Sequence, residues 1–410
     1  MTHPLATADQ QWTELLALRL VERPDVRAAR EQARALLLAD PAAQSFSARL
    51  GLDRALDLWM MALAMREANG DPARPRVVWN VDNTPRHWLG HVYPGGAVAV
   101  DNPDNMNREM PIDGDGRYTI DIAFSDNPSS LSLVLEIEPE HHAGIGENVA
   151  TLTTLDLNPR PGKTLTVTVD SAPTNGRAFH MQSRPGARLQ LYARDSHADW
   201  AQTPAYIGIR RLDPVATAVR DEEDIVSAIL SATVPFVRFW LGFKDSFLGF
   251  PHPNSLIGPI GRVGGWGFLA GGRYAIPEGK ALLVRIDPAR AAYNGFQVTD
   301  PFTIAPDPVH RTSSLNTTQT VADADGGFTY VVAARDPGTP NWIDTVGLTE
   351  GWMLLRWQGV SPDADPARFI REVRLIDLDA IPPDLPRATL ADRIAAIDLR
   401  ARLHHARTRT

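Results

Sequence analysis

The chain contains no cysteine, which excludes thiol nucleophiles, disulfides, thiolate zinc sites and cysteine-held iron–sulfur clusters. Lysine is nearly absent too: Lys163, Lys244 and Lys280 are the only ones among 41 basic residues. A Schiff-base mechanism therefore has three candidate amines. Basic charge is in deficit, and the formal net charge is -8. That balance favours solubility and argues against a broad nucleic-acid footprint, which needs a basic surface. Long apolar runs are missing. The most membrane-like stretch, residues 225–243, is interrupted by Pro235 and Arg238 and bracketed by Asp224 and Lys244. A spanning helix wants about 18 or more uninterrupted apolar residues, so this stretch reads as a buried or interdomain helix without stable membrane insertion. The opening MTHPLATADQQWTELL has no basic region followed by an apolar one, and the expected location is cytoplasmic.

Familiar catalytic signatures are lacking as well. No serine sits in a Gly-x-Ser-x-Gly elbow. Pro161-Gly162-Lys163-Thr164 ends like a phosphate loop, but Leu157 occupies the earlier glycine position. Gly258, Gly261, Gly264, Gly265 and Gly267 lack the strand–glycine–helix frame of a dinucleotide site and read as a flexible or closely packed connection, or as an active-site lid. No nucleotide cofactor is expected.

What is present is an ordinary globular composition, 43% apolar and 22% charged over 410 residues, enough for two or three domains. Residues 10–69 carry helical apolar spacing broken at Pro24 and Pro41 and stopped at Asn69-Gly70-Asp71-Pro72. From Val77 the texture changes to short alternating runs between turns, as at Tyr118, Ile120 and Ile122 and at Leu131, Leu133, Leu135 and Ile137. Helix returns over 215–250, behind the acidic start Asp221-Glu222-Glu223-Asp224. Strand texture then resumes from Leu282 to about residue 378, and an arginine-rich helical tail follows Pro382.

The two β regions echo one another. Residues 110–118 resemble 284–293, 165–170 resemble 328–336, and 205–213 resemble 369–377, in the same order. The expected fold is mainly β with helical additions (α+β), built as two related jelly-roll-like β-sandwich halves. The expected parts are a helical N-terminal segment (1–75), a first sandwich half (76–214), a helical and glycine-rich connector (215–272), a second half (273–380) and a helical tail (381–410).

Asn102-Pro-Asp-Asn105 with Ile112-Asp-Gly-Asp-Gly-Arg-Tyr118, and Arg311-Thr-Ser-Ser-Leu-Asn316 with Asp325-Gly326 and residues 336–345, resemble a bacterial family. It is the domain of unknown function 1214 family, often fused to the related domain of unknown function 1254. The resemblance covers roughly residues 85–378. It implies a jelly-roll-like tandem β-sandwich and brings no settled activity. The family commonly carries an aromatic just after Pro-Asp-Asn, where this chain has Asn107 nearby instead.

Three constellations could carry chemistry. In the second half, His310 can act as acid or base, Arg311 can anchor an oxygen, and Asp344 can orient them, with Asn316, Asn341 and Trp342 beside them as substrate contacts. The alternative is an Arg311–Asp344 structural pair with asparagines satisfying loop backbones. In the first half, Asp104, Asn105 and Arg108 belong to an Asx-rich run that reads as a ligand site or as a turn. Metal ligation would have to draw on His87, His91, His141, His142 or His310, but His87 and His91 lack the glutamate of a metalloprotease pair. Trp240, Phe243, Phe247, Phe250, Trp266 and Phe268 surround the glycine stretch and could line a cavity between the halves for an apolar, polycyclic or terpenoid, oxygenated ligand.

These readings leave three functions open. The first is a lyase, isomerase or hydrolase working by acid–base chemistry with His310, Arg311 and Asp344. The second is a non-catalytic binding or assembly protein, for which a homo-oligomer is compatible. The third is a metal-dependent jelly-roll enzyme.

Overall fold

Three helices open the chain, and capping chemistry sets their boundaries. The structure, a computed structural model, describes residues 3–98, 100–137, 147–215, 218–248 and 252–409. Thr7 caps α1 (Ala8–Val21) by accepting from the Gln10 amide. Proline starts α2 (Pro24–Ala39), where a missing N–H costs no helical hydrogen bond. Ser45 caps α3 (Phe46–Ala68), which ends at Asn69. The expected breaks at Pro24 and Pro41 are both present.

The first β half follows as β1 (Val78–Trp79), β2 (Arg86–Trp88), β3 (His91–Tyr93), β4 (Asn105–Asp113), β5 (Tyr118–Ala123), β6 (Ser130–Ile137) and β7 (Asn148–Thr153). A single-turn helix α4 (Thr154–Leu157) leads to β8 (Thr164–Asp170), β9 (His180–Gln182), β10 (Arg188–Ser196) and β11 (Tyr206–Arg211). The long helix α5 (Glu222–Leu248) separates it from the second half. That half comprises β12 (Ile257–Gly261), β13 (Phe268–Ala275), β14 (Lys280–Ile286), β15 (Tyr293–Thr299), β16 (Ser314–Asn316), β17 (Phe328–Ala333), β18 (Trp342–Asp344), β19 (Glu350–Gln358) and β20 (Ile370–Asp377), before α6 (Leu390–Ala406).

Each half is a five-stranded sheet over a four-stranded one. The orders are β1-β4-β10-β6-β7 and β11-β5-β8-β9 in the first, and β12-β13-β19-β15-β16 and β20-β14-β17-β18 in the second. The two match strand for strand, down to one parallel pair in the same place, β8 with β9 and β17 with β18. Two of the sequence echoes pair equivalent strands, β8 with β17 and β11 with β20. The third slips by one strand: it sets β4 beside β14, whereas the topology matches β4 to β13. Its strand–Asp–turn–Tyr pattern recurs at successive hairpins and does not identify which one. The glycine-rich stretch is the β12–β13 hairpin of the second half's sheet, not a free connector.

Period-2 alternation fills each sandwich. Met110, Ile112, Leu133, Leu135, Leu189 and Leu191 form one core, and Phe296, Val298, Met353, Leu355 and Trp357 belong to the other. The central strands β4, β13, β15 and β19 are buried on their other face too, although β4 carries Asn107 and Glu109 there. The polar faces of the two five-stranded sheets therefore point into the protein, not into water.

α5 is, among the described residues, the one helix long and apolar enough to cross a membrane, over Glu222–Phe243. Here Ile225, Ile229, Phe236 and Val237 bury one face with Leu56, Trp59 and Leu63 of α3. The pairing of neighbouring strands leaves little room at Gly351 on β19, where an added Cβ would lie 1.9 Å from the Thr299 carbonyl oxygen on β15. Gly351→Ala is expected to cost about 1–3 kcal/mol by overpacking. A thermal denaturation midpoint unchanged from wild type would contradict this packing.

Candidate functional site

The residues singled out from sequence fall into three separate places. His310 is on the surface, its side chain 60% exposed and its Nδ1 3.1 Å from Asp307 Oδ1. Arg311, also exposed, lies 3.6 Å from the buried carboxylate of Asp344. Burial pushes the Asp344 carboxyl up, against the opposing pull of the Val346 amide and Arg311. Asn341 ties the Val321 main chain to β17 through Val321 O and Thr329 O, and Trp342 Nε1 donates to Ala333 O. His310 and Arg311 thus stand exposed at the surface, and Arg311 with Asp344 forms an ion pair.

Asp104 and Asn316, from opposite halves, do meet. Asp104 Oδ1 accepts from Trp200 Nε1 (2.6 Å) and Asn316 Nδ2 (3.1 Å), while Oδ2 accepts from the Tyr293 hydroxyl (2.9 Å). Arg108, one step off in the β4 alternation, points into the first half instead, to Asp195 (2.8 Å) and the Ala205 carbonyl. Burial would raise the Asp195 carboxyl, but His197 and Arg108 hold it well below the usual range.

A cavity of about 170 Å³ lies elsewhere, between the outward faces of the two five-stranded sheets. Its walls come from equivalent strands. Tyr192, Arg194 and Ser196 on β10 and Leu354, Arg356 and Gln358 on β19 hold the same positions, the fifth, seventh and ninth of two nine-residue strands. Register places Asn105, Asn107 and Glu109 of β4 opposite Ser196, Arg194 and Tyr192. Phe236, Trp240 and Phe243 of α5, with Trp266 and Phe268 of the β12–β13 hairpin, complete an aromatic side. So Asn105 and Trp266 are cavity residues, as are Trp240, Phe243 and Phe268. The side chain of Phe247, together with Phe250, His141 and His142, lies outside the described residues.

The hairpin turn is held across the halves. Asn148 Nδ2 donates to Val263 O (3.2 Å), and a Cβ on Gly264 would come within 2.2 Å of Thr151 Oγ1. Gly264 also has φ +87°, a backbone region that disfavours any side chain. This close approach presents Arg262 and Trp266 to the cavity.

Polar groups on the walls are only partly satisfied. Asn107 Nδ2 donates to Glu109 Oε1, but the buried carbonyl oxygens of Asn105 and Asn107 accept from no described residue. Asp101, also on the wall, accepts from the Ala305 amide, and burial pushes its carboxyl up to about 7 despite that bond and Arg54. It is a carboxyl that changes charge near neutral pH inside a cavity.

Among the described residues no group of three or more His, Asp or Glu side chains is placed to hold a metal ion. His87 and His91 lie on the β2–β3 hairpin, not on a helix. His91 Nε2 is 2.7 Å from Glu14 Oε2, in a buried network with Arg86 and Trp88.

Sequence reading missed Arg194, Arg356, Tyr192 and Glu136 because an alternating polar face ordinarily faces water, and Arg262 because it sits in a turn. The usable signal was the repeated arginine at equivalent strand positions, legible only once β10 and β19 are matched.

No family model matches the chain, and no curated protein matches it. Among solved structures, the fold is similar to that of an uncharacterized protein from Burkholderia cenocepacia, with a TM-score of 0.73 and 21% identity over 92% of this chain and 100% of that one. The VPA0106 protein from Vibrio parahaemolyticus aligns over 67% of this chain and 89% of that one, at 11% identity and a TM-score of 0.41. The first likeness establishes a shared fold.

Two outcomes follow from these buried carboxylates. Asp104→Ala strands three donors and is expected to lower unfolding free energy by about 3 kcal/mol or more, read by urea titration. A loss under about 1 kcal/mol would mean the node is dispensable. Asp101 stays protonated in the folded state over a range where the unfolded chain has already ionised, so its contribution declines as pH rises from about 4 to 7. Asp101→Asn should therefore flatten the fall in stability across that window, and a slope identical to wild type would refute the assignment.

Proposed function

We propose that this chain binds a small, largely apolar, oxygenated molecule in the cavity between its two β halves. The observation that carries this reading is the cavity itself, walled by equivalent positions of β10 and β19 and by five aromatic rings. A cavity of about 150 Å³ is known to accept benzene, so about 170 Å³ suits one substituted ring and is small for a polycyclic body. The unpaired oxygens of Asn105 and Asn107 would take a ligand hydroxyl. Binding is favoured over catalysis by His310, since that imidazole is exposed and off the cavity wall.

A second reading, lyase, isomerase or hydrolase chemistry in the same space, is carried by Asp101. Its carboxyl lines the cavity and titrates near neutrality, the range where an acid–base group works best. Kinship with the domain of unknown function 1214 family stays a proposal as well and brings no activity with it.

Native mass spectrometry of the purified protein beside its denatured extract tests the binding reading. The wild type is expected to carry a low-mass organic species that denaturation releases. Leu354→Trp, which fills the cavity, should retain a wild-type circular dichroism spectrum and lose that species. A ligand retained in full by Leu354→Trp would place binding elsewhere and sink the proposal. For the catalytic reading, Asp101→Asn should abolish turnover of the recovered molecule, and unchanged turnover would remove Asp101 from any mechanism.

A further inference from the structure

Three arginines on the cavity wall are only partly paired within the fold. Arg262, in the β12–β13 turn, has its guanidinium 4.5 Å from the Trp266 ring centre and makes no side-chain hydrogen bond or ion pair with any described residue. Arg194 lies 5.5 Å from the same ring, its Nε is buried without an acceptor among the described residues, and the Glu136 carboxylate stands 4.0 Å away. Arg356 donates only to neutral oxygens, Gln297 Oε1 at 2.5 Å and Val100 O at 3.2 Å. Three guanidinium groups therefore share one wall; Glu136 stands at the edge of ion-pair range of Arg194, and Asp101 and Glu109 line the same cavity.

Such an arrangement is costly without an anion. Guanidinium groups taken from water need acceptors, and like charges in a poorly solvated space repel. The effect is visible at Arg262, whose pKa burial pushes down to about 10, with Arg194 and Arg356 adding to the fall and Glu136 opposing it. The structure holds the strain in place by construction. Arg194 and Arg356 are equivalent residues of two matched strands, and Gly264 docks the turn bearing Arg262 against Thr151.

We infer that the ligand of this cavity is a carboxylate on a single ring, with its carboxylate oxygens held by Arg262 and Arg194, Arg356 behind them, and its ring against Trp266 and the α5 aromatics. The planar fork of arginine matches a carboxylate in two-point geometry, and the aromatic side accounts for the ring. This inference rests on the proposed cavity and adds the charge and class of what fills it.

Titration of the full chain at pH 7.5 with sodium benzoate and with its neutral counterpart benzamide, by calorimetry, separates the two readings. Benzoate is expected to bind at least tenfold more tightly than benzamide. Arg262→Gln should weaken benzoate about 10- to 100-fold and leave benzamide within about twofold. Arg262→Lys, which keeps the charge and loses the fork, should fall between, and it stands in if the glutamine variant does not fold. Benzamide binding as tightly as benzoate would overturn the carboxylate while leaving the cavity reading intact. Absence of binding by both probes, or benzoate binding undiminished in Leu354→Trp, would overturn both.

Discussion

The buried carboxylate of Asp104 is the point on which the assembly of this protein depends. It stands between the halves and accepts from Trp200 on one side and from Tyr293 and Asn316 on the other. A carboxylate out of water is tolerable only when its lone pairs are met, and three donors from three segments meet them here. Gln297 and Arg356 add bonds across the same joint, to the main-chain carbonyls of Asp101 and Val100. The C-terminal helix reinforces the same place. α6 lays Arg400 and Arg407 over the Trp200 ring at 4.4 and 4.6 Å, and Arg407 donates to the Pro103 carbonyl.

α6 reverses the usual amphipathic arrangement. It buries Arg393, Arg400 and His404 and exposes Leu390, Ile394 and Leu399. The buried arginines serve as hydrogen-bonding staples: Arg393 reaches Asp336, Thr339 and Pro340, and Arg400 reaches Gln319, Pro308 and Ser314. Burial pushes Arg400 and Arg407 down to about 10, which the nearby Asp104 carboxylate opposes. What looks like a polar tail thus fastens the second half and the joint between the halves.

Duplication explains why a cavity forms at this joint. Each half needs its own apolar sandwich core, and a strand has only two faces. Once the inner face is filled by leucine, isoleucine and methionine, the outer face is left to polar residues. When two such halves pack outer face to outer face, their equivalent polar positions converge. The side chains cannot fill the space as apolar ones would, and aromatic residues from α5 and the β12–β13 hairpin close its side. The result is a small cavity with an aromatic wall and an arginine-bearing wall.

Much of this was legible in the residues taken alone. Apolar spacing, the prolines at 24 and 41 and the stop at Asn69-Gly70-Asp71-Pro72 marked the N-terminal helices, alternation at 131–137 and 165–169 marked strands, and the echo of 205–213 in 369–377 paired β11 with β20. Local rules suffice there because helix caps and period-2 burial depend on near neighbours. The aromatic ring of Trp266 was legible as cavity lining for the same reason, a large apolar group in a tight glycine turn. What only the tertiary structure decided was which polar residues act together. Asp104 and Asn316 are 3.1 Å apart although 212 positions separate them, whereas His310, much closer along the chain to Asp344, is exposed and lies beside Asp307. Hydrogen bonding and charge pairing are set by the packing of one sheet on another, and no local spacing encodes the angle at which two whole sandwiches meet.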